Sequence, residues 1–258
     1  MSERRRTTWI GQVLWPTLVF VCFLACWHFA VVGSRTKVFP SPLSVAKGMA
    51  ELDRKGLLWS YTLASLGRVG TGFALAVLTG VPLGFALGWY PKLARVVSPT
   101  IELLRPISPI AWIPVAILFF GIGDKPAIFL IFLGAFFPIV IACADGVSRV
   151  PAAYRQAGRN FGLSNFNLLR RVVLPASFPQ ILAGLRLAFG IAWLVVVAAE
   201  MVAVNSGLGY LVIDSRNAGK RYDLVVAAMV LIGAIGLILD TLFRSLEKLN
   251  SVRWGFRQ

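Results

Sequence analysis

Residues 126–144 read Pro-Ala-Ile-Phe-Leu-Ile-Phe-Leu-Gly-Ala-Phe-Phe-Pro-Ile-Val-Ile-Ala-Cys-Ala, a run without one charged side chain. A bilayer core about 30 Å thick is crossed by roughly 20 apolar residues in a helix, so this run reads as a transmembrane span. Five comparable windows flank it: 13–33, 64–89 and 96–120 before it, 178–204 and 224–243 after it. The expected fold is therefore an all-α integral membrane protein with six transmembrane helices. They form a single transmembrane domain over 13–243, with a segment 1–12 before it and a tail 244–258 after it. The first window follows Arg4, Arg5 and Arg6, as a signal peptide would. It is longer than a secretory apolar region of about 7–15 residues, which favours a retained span.

Composition supports this reading and removes its competitors. Of 258 residues, 57% are hydrophobic. A disordered chain is excluded and an ordinary soluble domain is disfavoured, because globular averages lie near 45–50% even with Gly counted. The chain has 26 Lys plus Arg against 11 Asp plus Glu, a formal net charge of +15, yet only 14% of its residues are charged. A nucleic-acid binder of that basicity carries far more charge per residue, so no nucleic-acid partner is expected. Three Cys without C-x-x-C spacing and a lone His28 beside Cys22 and Cys26 argue against a disulfide scaffold, zinc or haem, and no metal site is expected. The excess cations belong in loops. With both termini on the cytoplasmic side, inner segments hold 14 cations and outer segments nine, a moderate positive-inside bias. Trp9, Trp15, Trp59, Trp89 and Trp254 fall near span ends, as an aromatic belt facing membrane lipids would.

Three local patterns refine the bundle. Phe39-Pro40-Ser41-Pro42 opens an outer segment in which Val45, Met49 and Leu52 recur at helical spacing, a short amphipathic helix at the interface or against the spans. Ala76, Gly80, Gly84 and Gly88 put small residues on one face of the second span, for close approach to a helix of the same chain or of a second copy. Pro99, Pro106, Pro109 and Pro114 break or kink the third span. Broken helices at membrane depth are tolerated where the freed backbone is buried in protein or lines a watery cavity.

The connection 145–177 is long for a bundle and lies on the predicted inner side. Pro151 suits the first turn of a helix in which Ala153, Ala157 and Phe161 share a face, and Gly162 suits its left-handed stop. Ser164 then caps a second helix with Phe166, Leu169 and Val173 on one face, until Pro175 ends it. Arg155, Arg159, Arg170 and Arg171 are expected to point outward. Such a helix–turn–helix either docks a soluble partner or is simply a solvated face.

The run Gln156-Ala157-Gly158, three residues, Gly162, nine residues, Val172-Val173-Leu174-Pro175 resembles the EAA-x3-G-x9-I-x-L-P loop of permease subunits in binding-protein-dependent ABC importers. Gly162, Leu174 and Pro175 match in register, while Gln156 replaces the motif Glu and Gly158 its second Ala. Leu103–Pro114, Phe120–Gly123, Val197–Met201 and Ser206–Tyr210, together with Phe39–Pro42, are similar to the nitrate, sulfonate, taurine and bicarbonate branch of those permeases. The resemblance implies the type I importer permease fold with a cytoplasmic coupling helix in a bacterial inner membrane. It also implies a dimer of permease subunits forming the path, two cytoplasmic ABC ATPases, and an external solute-binding protein delivering a small anion. Coupling to the ATPases would run through Gln156, Ala157, Gly158, Gly162, Leu163, Ser164, Leu174 and Pro175. No G-x-x-x-x-G-K-[ST] run occurs in the chain, so ATP and Mg²⁺ would be held by the ATPase partner, with no cofactor in this chain.

Ionisable residues within spans each require a partner or water. Glu102, Arg105 and Glu200 are the pathway candidates. Arg105 beside the broken stretch offers a planar fork to an oxyanion, or else pairs with Glu200 or Glu102 to hold spans together. Arg68 near the outer end of its span suits snorkelling, Arg186 is a weaker candidate, and Asp145 and Asp240 near inner ends are expected in water. No Ser/His or paired-Asp arrangement suggests a catalytic residue. A secondary transporter or channel without ATPases and an intramembrane enzyme remain the competing classes.

Overall fold

The computed structural model describes residues 9–33, 39–217 and 219–247. Arg4 to Arg6, Trp254 and most of the tail lie outside them. The described residues contain helices and no strand. Helix α1 spans Trp9–Gly33, α2 Pro42–Arg54, α3 Leu57–Trp89 and α4 Pro91–Leu104. A 3₁₀ turn at Pro109–Trp112 leads into α5, Ile113–Phe120, followed by α6, Asp124–Ser148. The inner connection carries α7, Ala152–Asn160, and α8, Asn165–Leu168. Helix α9 is Leu174–Ala203, α10 is Leu208–Asn217 and α11 is Tyr222–Glu247.

Five helical runs are long and apolar enough to cross a bilayer, and α4 with α5 makes a sixth span bent by 82°. The expected count of six holds on that basis, and the third span is broken where its prolines stand. No donor is available at Pro106 or Pro109, so the chain leaves the helix after Leu104 and re-enters it through the 3₁₀ turn.

Helix α6 is the centre of the bundle, with α3 on one side and α9 on the other. Its Leu130, Ile131, Ala135, Ile139 and Cys143 are fully buried. The small-residue face of α3 meets α6 within the same chain. A Cβ on Gly84 would lie 2.5 Å from Cys143 Cβ and 2.5 Å from the Val140 carbonyl oxygen, and one on Gly88 would lie 2.6 Å from Val147 Cβ. Gly84→Val therefore has nowhere to go but through a backbone. The variant is expected to lose about 1–3 kcal/mol of bundle stability or more. A thermal melt in detergent within error of wild type would contradict this packing.

Outside the bundle, Ser41 caps α2 by accepting from Ser44 N at 3.3 Å, and Val45 and Leu52 pack inward against α11 and α3. Trp27 Nε1 donates to Pro40 O at 3.2 Å and ties α1 to this entry. Arg221 donates to Glu51 at 2.6 Å and to Asp223 at 2.8 Å. The Arg221 guanidinium, helped by Lys55, holds the Glu51 carboxyl down at about 2, so this outer clasp stays charged at any ordinary pH.

Two elements differ from the sequence expectation. Pro175 does not end a helix: α8 continues through a π-helical turn at Leu169–Val173 into α9, one run from Asn165 to Ala203. The wider π turn takes up the missing donor and the ring of Pro175, which would crowd a regular α-turn. Helix α10, in what was read as an outer connection, was not anticipated.

Candidate functional site

The inner element is built around glycine. Helix α7 closes with Leu163 N donating to Gly158 O at 3.1 Å and Gly162 N donating to Arg159 O at 2.9 Å, and Gly162 sits at φ 74°. These are the two bonds of a Schellman stop, which needs a left-handed residue where Gly162 stands. Ser164 then caps α8, its Oγ accepting from Asn167 N at 3.4 Å. Gly158 is buried: a Cβ there would lie 2.5 Å from Leu168 Cδ1. A small residue at 158 is thus what lets α7 lie against α8.

The aromatic side chains of the two helices are turned outward. Phe161 is 88% exposed and Phe166 70%, and Tyr154, Ala153 and Ala157 are exposed as well. The anchor is Leu168 and Val173, fully buried. Gln156, Ser164 and Pro175 are exposed, Leu163 is half-buried, and Leu174 is 43% exposed. Arg155 corrects the expectation of an outward charge, since its guanidinium turns back onto carbonyl oxygens at the end of α6.

At membrane depth an open groove of about 500 Å³ runs between the broken span, α6 and α9. Apolar residues such as Leu133, Phe137, Ile141 and Leu187 form its walls, and Arg105, Asp145 and Gln180 are its polar lining. Gly184 faces Ala142 across the α6–α9 contact so closely that a Cβ would overlap it. Asp145 is half-exposed and pairs with Arg149 at 3.3 Å. Asp240, expected in water, accepts from Arg186 at 2.7 Å and from Arg244 at 2.9 Å, joining α9 to α11.

The expected pairing of Arg105 with Glu200 or Glu102 is not what forms. Glu102 and Arg105 are both exposed on the broken span, and neither makes an ion pair among the described residues. Glu200 is 0% exposed and is held by Arg68, which is 6% exposed. Arg68 Nη1 donates to Glu200 Oε1 at 2.6 Å and to Ser206 O at 2.8 Å; Nη2 donates to Ser206 Oγ at 2.5 Å, and Nε to Asp124 at 2.8 Å. Glu200 Oε2 accepts from Ser65 Oγ and from Gly209 N, both at 2.9 Å. Ser65 Oγ in turn accepts from Leu208 N at 2.9 Å. This network joins α3, α6, α9 and α10, so Arg68 does not snorkel. The signal was present in the sequence: Ser65, Arg68, Gly72 and Ala76 follow at helical spacing on the face that Gly80 and Gly84 continue.

A mostly apolar groove with a few polar side chains, flanked by a broken span, lies within an all-helical bundle that carries an exposed helical element. Residues 80–252 match the family described as binding-protein-dependent transport system inner membrane component, and the chain belongs to that family. It is the permease subunit of an ABC importer, a multi-pass membrane protein. It is 46% identical over 193 residues to a putative ABC transporter permease of Methanocaldococcus jannaschii, covering 74% of this chain and 72% of that protein. It is 35% identical to the bicarbonate transport system permease of Synechococcus elongatus, covering 93% and 90%, and 34% identical to the nitrate import permease of the same organism, covering 97% and 96%. The fold matches the inward-facing MetNI methionine ABC transporter with a TM-score of 0.67 at 20% identity, over 80% of this chain and 99% of that one. That likeness supports the type I permease architecture.

Proposed function

We propose that two copies of this chain form the path for a small anion of the bicarbonate, nitrate or sulfonate type, delivered by an external solute-binding protein. Two cytoplasmic ATPases, which hold the ATP and Mg²⁺, dock on residues 151–175, and both termini face the cytoplasm. The carrying observation is the exposed aromatic face of Tyr154, Phe161 and Phe166 on an element whose other side is anchored by Leu168 and Val173. Large apolar side chains held outward on a rigid base are what a groove on a soluble partner grips. The coupling set Gln156, Ala157, Gly158, Gly162, Leu163, Ser164, Leu174 and Pro175 shapes this element or borders that face. The dimer is favoured by Arg105, exposed on the groove side of the bundle. Ionisable side chains facing lipid at mid-membrane cost about 2.5–3.5 kcal/mol each, whereas a second copy with water between provides the setting they need. Arg105 is the anion-facing candidate, and Glu102 lies on the same broken span. Glu200 serves the buried pair.

The test is reconstitution with the ATPase and binding protein of the same importer, followed by ATP-dependent uptake of labelled bicarbonate, nitrate and taurine. Phe161→Asp is expected to lower ATPase co-purification by about tenfold or more, the effect of losing one anchor residue at an interface, while the protein stays in the membrane. Retained ATPase binding and uptake in that variant, or solute flux by the chain alone, would overturn the proposal.

A further inference from the structure

One half-buried cation on this element is unused by the docking face. Arg155 stands in the first half of α7 and points away from Phe161 and Phe166, toward the end of α6. Its Nη2 donates to the carbonyl oxygens of Val147 at 3.1 Å, Ser148 at 2.9 Å and Val150 at 3.1 Å. The last carbonyls of a helix have no intrahelical partner and carry the negative end of its dipole, so a guanidinium placed there is a charge-assisted cap. Arg155 Nε is buried without a partner, which is unfavourable, and the Nη2 bonds offset it.

The helix capped in this way lines the groove. Leu133, Phe137, Ile141 and Asp145 belong to α6, and Asp145 is one turn from the capped carbonyls. The docking element already continues covalently into α9 through the π turn, and Gln180 and Leu187 of α9 line the opposite wall. Toward α6 the element is joined by residues 149–151 and by the packing of Val147, Val150 and Val173, and Arg155 adds a polar clamp to that junction.

We infer that Arg155 is a positioning residue that fastens the docking element to α6, so that one displacement of residues 151–175 moves both walls of the groove. The inference rests on the reading of that segment as the ATPase dock. It adds a second route of coupling, through a side chain outside the EAA-type motif. A lysine at 155 would keep a cation near the carbonyls but lose the fixed guanidinium plane that holds Nη2 against all three.

The experiment uses the complete importer in proteoliposomes and three variants: Arg155→Ala, Arg155→Gln and Arg155→Lys. Two quantities are read for each, the ATPase recovered with the permease and the anion imported per ATP hydrolysed. Expected are wild-type recovery of the ATPase for all three and a fall in import per ATP of at least about fivefold for Ala and Gln, the lower end of common coupling effects. Arg155→Lys is expected to fall between them and wild type. Wild-type import per ATP in Arg155→Ala and Arg155→Gln overturns the inference and leaves the dock intact. Loss of the ATPase from the Lys variant as well overturns it differently, by placing Arg155 in the docking surface. A wild-type permease that never retains an ATPase refutes the underlying reading.

Discussion

Glu200→Ala is expected to remove most of the folded permease from the membrane. The substitution leaves the Arg68 guanidinium, 6% exposed, without its buried counter-ion. Breaking one side of a buried ion pair costs about 3–5 kcal/mol, because the remaining charge stays desolvated. Asp124 remains within 2.8 Å but is 66% exposed, and a water-facing carboxylate compensates weakly. Gly209 N and Ser65 Oγ lose their acceptor at the same time, so the turn into α10 loosens too. Arg68→Met paired with Glu200→Leu should recover much of the loss, since an apolar pair leaves no stranded charge. Monodispersity and melting temperature in detergent decide the matter. A single variant that melts with wild type, or a double variant no better than the single, would show that the pair does not hold these helices.

Gly162→Val should abolish uptake while the protein still inserts. Space is not the obstacle, because nothing lies within 4 Å of where a Cβ would sit. The obstacle is the backbone at φ 74°, which costs a non-glycine residue about 1–3 kcal/mol and a β-branched one the most. Relieving that strain means dissolving the Schellman stop, which would re-aim Phe161 away from Phe166. Uptake is therefore expected to fall below detection in Val, with the ATPase lost from pull-downs. Gly162→Asn should retain part of both, because Asn enters the left-handed region more readily. Equal behaviour of Val and Asn would mean the turn conformation is immaterial to docking.

Much of this fold could be read from residue order. Charge-poor apolar runs located the spans, and Pro106 with Pro109 located the break, since a missing donor acts locally. Gly162 and Ser164 located the inner turn for the same reason. What failed was direction in space. Arg68 was assigned to the outer surface from its distance to the span end, although its helical face continues the buried stripe of Gly72 and Gly80. Arg105 was given an oxyanion, or Glu200 or Glu102, as partner because all three residues are ionisable within spans, yet which side chains meet is set by the bend of the third span, which no local pattern measures. Pro175 was taken as a stop because a π turn has no composition of its own. Helix α10 escaped notice although Leu208, Leu211 and Ser215 are buried at helical intervals, because ten residues are few in which to see a period. The faces of Phe161 and Phe166 were legible as helical stripes, but an isolated sequence does not distinguish a face awaiting a partner from a solvated one.

The run from Asn165 to Ala203 is 39 residues long, about 58 Å of helix at 1.5 Å per residue. A hydrocarbon layer of about 30 Å uses roughly half of it. The rest is length enough to hold the turn at Gly162 clear of the lipid headgroups. Were the proposed ATPase to dock there, it would approach from the side without pressing into the bilayer, and its thrust would pass along this run as well as through α6.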